Sequence, residues 1–461
     1  MSIPSFDRLG RLAALVFAVA WSAVSPAADP EPAANDSLAA YLASWNLDRT
    51  AWTVLAEPGP WDDARQSLVL KLIARLGRVP ADRAARWQAA AADVSAALPT
   101  AAADDLVRIE GRAVFVAPQR LTADQAAVAG RDAIDLVRVT TAAGTAVDVI
   151  VESAPAAWPR WTAIDESAAV VGMPLTAGPG PTPQADGKSW PQEPPALVLL
   201  AARIEWYPPT PLGRLGMDYA TFATVADGKP LVPGDTAAFY GMLAAAGRAA
   251  AGAIAEAAGP PVDVIPLIDP AARWFASHRG DPVTVEGIAR RVTRIAIDDP
   301  NQRRLVGADH YWEIYVFVPT PPIRIADTVQ DDFPIVCCVL TLPDGMPTGD
   351  RIGERVRVSG FALKRYAYPL PRVRISSSQG DTERGGGRRE TPLLIGSEAR
   401  WLPGPSPRQW SNDLGWVLLG IAGVVGLLLG GAVWSAQRAA RRAERRAREQ
   451  LPDRVELPPA G

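Results

Sequence analysis

The sequence predicts an α+β protein, mainly β, in which one five-stranded β module occurs twice, each copy preceded by helices, with one C-terminal transmembrane helix. Three observations predict it. Val107-Arg108-Ile109-Glu110-Gly111 returns as Val283-Thr284-Val285-Glu286-Gly287, and strand-like segments follow each run in the same order. Pro (44) and Gly (38) are frequent among 461 residues, as a turn-rich fold needs. Leu414 to Trp434 carries no charge, and as a helix of about 31 Å it matches the hydrocarbon core of a bilayer.

Taken in order, Met1 to Ala28 has the pattern of a secretory signal: Arg8 and Arg11, an apolar run from Leu12 to Val24, then small residues. An uncleaved anchor is the alternative. Residues 29–36 form a linker. Residues 37–104 read as helical, with Asp36 capping a helix that carries Leu38, Tyr41, Leu42 and Trp45. Asp62 caps a second helix carrying Leu68, Leu72, Ile73 and Leu76 and stopped by Gly77, and Pro80 to Leu98 gives a third.

The first β module spans residues 105–208. In it Val147, Val149 and Val151 alternate with Asp148, Ile150 and Glu152, the pattern of a half-buried strand. Residues 209–281 are a helical connection, where Asp235 caps a helix with Phe239, Met242 and Leu243 on one face. The second module spans residues 282–403, with strands at Tyr311 to Phe317, Ile335 to Leu342 and around Val356 and Val358. Matching anchors stand at offsets of 176 (Glu110 and Glu286), 188 (Gly172 and Gly360) and 195 (Trp206 and Trp401). A growing offset means loop insertions in the second copy. Five strands opening on Val-x-Val/Ile-x-Gly resemble the OB-fold, a small Greek-key barrel whose first strand bends at a Gly or bulge. Gly111 and Gly287 sit where that bend is expected. The resemblance implies a barrel face able to bind a ligand, without saying which.

Residues 404–413 are a juxtamembrane linker, 414–436 the membrane helix and 437–461 a basic tail. Trp416 and Trp434 mark the interfaces, and Arg438, Arg441 and Arg442 open an arginine-rich end that the positive-inside rule places in the cytoplasm. Ala422, Gly426 and Gly430 form a small-residue strip along which two helices can pack, so membrane lipid and a second copy are the partners it suggests. The layout resembles exported single-pass bacterial membrane proteins. An envelope protein is then the expected soluble partner.

Charge excludes a general affinity for nucleic acid. Residues 29–412 hold 38 basic and 44 acidic side chains, so the ectodomain is mildly acidic. The chemistry-bearing motifs are few. Asp186-Gly187-Lys188-Ser189 lacks the first Gly of a phosphate loop and is followed by Trp190-Pro191. His278 and His310 are the two histidines, neither in a metalloprotease pattern. Asp298, Asp299, Asp309, His310 and Glu313 gather at one strand connection, as a metal site or as a polar turn. Cys337 and Cys338, adjacent in a strand, point to opposite faces, one buried and one near the opposite surface; a strained vicinal bridge or an intermolecular one is the alternative. Two long polar stretches, Thr176 to Pro195 and Ser376 to Pro392, read as flexible loops. No cofactor and no catalytic constellation is expected.

The sharpest candidate ligand-binding group is Lys364, Arg365, Tyr366 and Tyr368, basic and aromatic residues interleaved after the fourth strand of the second module. An exposed strand end with snorkelling stems is the alternative. In both cases the charges are expected at the surface, where their removal shifts stability by no more than about 0.5 kcal/mol. The expected function is that of a non-catalytic, membrane-anchored extracytoplasmic binding or assembly protein. The second reading is a nucleic-acid- or polyanion-binding protein acting through the second module, and the third an enzyme.

Overall fold

A computed structural model describes residues 37–47, 54–55, 61–98, 106–176, 181–183, 188–325, 328–369, 373–377, 380–384, 388–402 and ten positions between 428 and 442. The chain is α+β, mainly β, with two five-stranded sheets, and divides into two units, Met1–Ile204 and Glu205–Gly461.

In the first unit, α1 (Leu38–Ala43) starts at Ser37, whose side chain accepts from Ala40 N, and α2 (Asp63–Leu76) starts at Asp62, which accepts from Arg65 N at 2.9 Å. Gly77 ends α2 as expected. Helix α3 (Ala81–Ala90) is shorter than its sequence pattern. Asp93 accepts from Ser95 N at 2.9 Å, a local turn that competes with the helix, and Ala92–Asp93 pairs in parallel with Val107–Arg108 instead. The sheet follows: β1 (Val107–Arg120), α4 (Ala123–Ala129), β2 (Ala133–Thr141), β3 (Ala146–Val151), β4 (Ala163–Thr176) and β5 (Leu197–Ala201). Strand β1 pairs antiparallel with β2 and β4, β2 with β3 and β4 with β5, while β3 and β5 run parallel. Leu70, Leu72, Ile73 and Leu76 of α2 pack with Ile134, Ile150, Met173, Val198 and Leu200 on the outside of this sheet. That cover buries Ile150, and Asp148 is buried in an ion pair with Arg138 beside Trp190, so β3 departs from the half-buried pattern.

The second unit opens with α5 (Pro211–Arg214), α6 (Thr236–Gly247), α7 (Ala253–Ala258), α8 (Ile265–Ile268) and α9 (Trp274–His278). Then come β6 (Pro282–Ala296), α10 (Pro300–Val306), β7 (His310–Ile325), β8 (Thr328–Thr341), β9 (Glu354–Pro369) and β10 (Arg388–Trp401). They close into a barrel in the order β8-β10-β9-β6-β7, with β8 and β10 parallel and every other pair antiparallel. Val285, Ile314, Val316, Ile335, Cys337, Val356, Val358 and Leu394 fill the interior. Phe239, Met242 and Leu243 of α6 cover Val336, Cys338, Phe361 and Ile395 on the outside. Cys337 and Cys338 do face opposite ways. Cys338 is nevertheless buried, because α6 lies over it.

The two sheets share strand order, and at the offsets noted above they share register. Val107 pairs with Gly172 as Val283 pairs with Gly360, and Val149 with Leu199 as Cys337 with Leu394. Each first strand is bulged at one place, between Ala113 and Phe115 and between Ala289 and Arg291. Leu121 N donates to Asp132 O as Ile297 N does to Asp309 O, and both intervening helices end on a left-handed glycine, Gly130 and Gly307. At the end the two differ only in continuity: Trp206 stands on a separate two-residue strand, Glu205–Trp206, next to β4 in the strand order, and Trp401 ends β10 itself, paired with β9.

A methyl group on Gly111 would overlap Thr140 O, and one on Gly287 would overlap Phe317 O. Overpacking against backbone makes Gly111→Ala and Gly287→Ala each destabilising by about 1–3 kcal/mol in urea unfolding. Gly353→Ala, with open space around it, is the control. Equal curves for Gly287→Ala and Gly353→Ala would remove the close approach as the reason for glycine there.

The second polar stretch is not a simple loop. Val373–Ser377 and Gly380–Arg384 pair antiparallel. Met1 to Ala28, Trp416, Ala422, Gly426 and Gly430 lie outside the described residues. No helix among the described residues is long and apolar enough to cross a membrane. Trp434, Arg438, Arg441 and Arg442 are helical, with the Arg438 guanidinium 4.3 Å from the centre of the Trp434 ring.

Candidate functional site

The structure places Lys364 in the interior rather than at an exposed strand end. Its side chain is fully buried, and Nζ lies 2.7 Å from Asp235 Oδ2 and 3.3 Å from Pro230 O. The reason is a chain segment that sequence periodicity does not reveal. Gly228 N donates to Arg365 O, Ala367 N to Lys229 O and Arg365 N to Asp227 Oδ1, so residues 227–229 cover the edge of β9. Asp235 is at the start of α6 without capping it through its side chain; its Oδ2 accepts from Lys364 and from Val232 N. Arg365 is ion-paired to Glu390 at 2.5 Å. Tyr366 and Tyr368 are half-buried and stacked, with ring centres 6.2 Å apart, and the Tyr315 ring meets Tyr368 edge-on at 5.8 Å. The structure therefore brings the two tyrosines together with Tyr315 and takes both basic side chains into ion pairs.

Two long hairpins of the second unit define the rest of the site. The offset between the sheets steps from 177 to 188 between the second and third strands, and from 188 to 195 between the fourth and fifth. These steps fall where β7 and β8 pair on to Thr328–Ile325, and where β9 and β10 pair on to Pro369–Arg388. Because β8 and β10 are parallel and adjacent, the two hairpin arms leave the barrel at the same end. They touch there: Arg389 donates to Gln330, its guanidinium lies 5.0 Å from the Phe333 ring centre, and Thr391 Oγ1 donates to Pro334 O.

Two more arginines sit on rings beside the arms. Arg290 is 3.9 Å from the Phe317 ring centre and Arg291 5.5 Å from that of Tyr315. Glu313 projects from β7 among these groups. Burial pushes its carboxyl up, against the opposing pull of Arg291 and of the Tyr315 hydroxyl. Burial also pushes up the phenols of Tyr366 and Tyr368. At the corresponding places of the first unit stand Phe115 for Arg291, Leu136 for Glu313 and Arg138 for Tyr315. There Trp190 packs edge-on against Phe115, and Arg138 sits 5.4 Å from the Trp190 ring centre. The first unit thus covers with its own tryptophan the face that the second leaves to arginines and tyrosines.

Sequence reading did not single out Arg290, Arg291, Arg389 or Tyr315. The signal was the step in offset, which marks the arms; the arginine–ring pairs need the strand pairing to be known.

Other candidates are less organised. A cavity of about 580 Å³ lies between α7 and β6, β9 and β10, lined by Thr284, Arg357, Ser359, Ser397 and Trp401. Thr284 and Ser359 hydroxyls bond each other at 2.8 Å, and Arg357 is held by Glu286. Of the acidic group near His310, Asp299 caps α10 and Asp309 binds His310 and Arg294. No set of three His, Cys, Asp or Glu among the described residues is arranged for a metal. His278 is stacked on Trp274 at 4.5 Å. The two cysteines are free, and burial pushes both thiols up, away from the thiolate a nucleophile requires. Asp186 and Gly187 lie outside the described residues; Lys188 stands 6.0 Å from the Trp161 ring centre. No family model matches this chain, and no curated protein matches it.

Proposed function

We propose that this chain is a non-catalytic, membrane-anchored binding protein of the cell envelope, built from two OB-like barrels related by duplication, and that the second barrel holds the ligand. The strand order supports the OB reading: three antiparallel strands, then a fourth that returns beside the first, and a fifth parallel to the third. The shared registers and bulges support the duplication. The anchor rests on the charge-free run Leu414 to Trp434 and the arginines beyond it; the strip Ala422, Gly426 and Gly430 would let two copies pair in the bilayer.

One observation carries the binding assignment. Both insertions that distinguish the second barrel extend one end of it, where three guanidinium groups lie on aromatic rings. Binding residues concentrate on such extensions of a rigid scaffold.

The test is site-specific photo-crosslinking in intact cells. A photoreactive residue at Tyr368 should give a discrete adduct, identified by mass spectrometry, that the same residue at the exposed Arg112 of the first unit does not. Adducts from Arg112 with none from Tyr368 would move the function to the other barrel.

A further inference from the structure

We infer that the cavity beside α7 binds a small monocarboxylate with an apolar body. It lies at the end of the second barrel remote from the arms. The arms are at Thr328–Ile325 and Pro369–Arg388. The cavity is lined by Thr341 at the end of β8, Arg357 and Ser359 near the start of β9, and Ser397 to Trp401 at the end of β10. The site is separate from the one proposed at the arms, and neither depends on the other. Its volume of about 580 Å³ is within the about 300–1,000 Å³ of small-molecule sites.

Strand alternation supplies the cations. Val285, Val356, Val358 and Ala399 point into the barrel, so Thr284, Arg357, Ser359 and Arg400 stand on its outer face and line the cavity with Ile254 and Ala255 of α7. Arg357 and Arg400 are directly opposite each other on β9 and β10, a placement in which like charges repel. Arg357 shares Glu286 with Arg355, and its Nη1 makes no hydrogen bond among the described residues. No carboxylate among the described residues pairs with Arg400. A carboxylate between the two guanidinium groups is held by both and relieves their repulsion.

The floor supplies a hydroxyl donor. Thr284 is 1% exposed, and its Oγ1 is 2.8 Å from Ser359 Oγ. The two residues hold two hydroxyl protons, and the bond between them uses one. No acceptor among the described residues takes the other. A buried donor left open is unfavourable, and a carboxylate oxygen satisfies it.

The remaining lining sets the charge and the body of the ligand. Glu398 is the one carboxylate that lines the cavity, against two guanidinium groups. A single negative charge balances that set, and a dianion brings its second charge towards Glu398. Ile254, Leu342, Pro343 and Trp401 supply an apolar wall. The Trp401 indole is held in place by its Nε1, which donates to Glu354 Oε2 at 2.8 Å. At the sequence offsets noted above, Ala169, Val171 and Glu205 stand in place of Arg357, Ser359 and Arg400, so the set occurs once in the chain.

The experiment is isothermal titration calorimetry of the full-length protein in detergent, with micelles alone as the blank. The three probes are 1-naphthylacetate, its neutral amide 1-naphthylacetamide, and inorganic phosphate. Naphthylacetate should bind at one site per chain, and the amide and phosphate at least tenfold more weakly. Arg400→Ala, which removes charge, and Ala255→Trp, which fills space, should each weaken naphthylacetate at least tenfold, and Arg112→Ala in the first unit should not. Arg400 and Ala255 are both exposed, so neither substitution removes a core contact. No binding of naphthylacetate, equal binding of the amide or of phosphate, or unchanged binding by Arg400→Ala or Ala255→Trp would each overturn the assignment. Binding lost in Arg290→Ala and kept in Arg400→Ala would move the anion to the arms and overturn it as well. An adduct at Tyr368 together with no naphthylacetate binding would retire the cavity and leave the role of the arms standing.

Discussion

Lys364→Ala is expected to destabilise the second unit by about 3–5 kcal/mol, the loss that follows when one member of a buried ion pair is removed. Both partners are out of water: the Lys364 side chain is 0% exposed and that of Asp235 1%. Asp235 Oδ2 would keep only the Val232 N–H, and Oδ1 already has no hydrogen-bond partner among the described residues. A buried carboxylate left with one backbone donor is a large fraction of the about 5–15 kcal/mol that holds a domain folded. The result should be a much lower urea midpoint. Replacing both partners by apolar residues, Lys364→Met with Asp235→Leu, removes the two charges together and should recover most of the loss. Arg365→Ala, whose partner Glu390 is partly in solvent, should change stability by less than about 1 kcal/mol. A Lys364→Ala protein as stable as the parent would mean that the amine reaches water in solution and that the pair is not what ties residues 227–235 to β9.

This expected result reverses the one that residue type alone suggests. Lys364 and Arg365 look alike in sequence, at the end of a strand and before a polar stretch. One is fully buried and the other only partly, because a segment more than a hundred residues earlier covers that edge and supplies Asp235 to Lys364, and no local pattern encodes such a cover. Asp235 was legible as a helix-start residue, and it does stand there. Its side chain, however, serves the strand and not the helix. The features that were legible are those set by short-range chemistry or marked by residues that recur at fixed offsets. Asp62 caps α2 where a cap was expected, and Gly111 and Gly287 stand where the backbone of the next strand approaches. The registers agree because anchor residues recur at offsets that can be read by eye. Helix α3 ran short of its pattern because Asp93 and Ser95 make a local turn, a competition that alanine-rich periodicity hides. The arms were legible only as a change in offset. That change says how much longer the second sheet's hairpins are, and the parallel pairing of β8 with β10 is what says both emerge together.

Arg138→Ala is expected to cost the first unit about 3–5 kcal/mol at neutral pH, and less in acid. Arg138 and Asp148 form a buried ion pair, with Nη2 to Oδ2 at 3.1 Å, while Nη1 donates to Glu193 O at 2.9 Å. Burial already pushes the Asp148 carboxyl above its ordinary range, and the Arg138 hydrogen bonds and charge hold that rise in check. Without Arg138 the rise is larger. A carboxyl with a raised folded-state pKa binds more protons folded than unfolded, so stability falls as pH rises from the unfolded value through the folded one. The variant should therefore lie closest to the parent near pH 4 and furthest at pH 7, read from urea midpoints across that range. The chain itself contains the compensating change. At the corresponding places of the second barrel stand Tyr315 and Val336, an aromatic and an aliphatic residue with no charge to bury. Arg138→Tyr with Asp148→Val transplants that pair, removes both ions, and should restore stability to within about 1–2 kcal/mol of the parent with no pH-dependent gap. A double variant as unstable as Arg138→Ala, or a single variant whose deficit does not shrink in acid, would show that the loss comes from packing around Trp190 and not from an uncompensated Asp148.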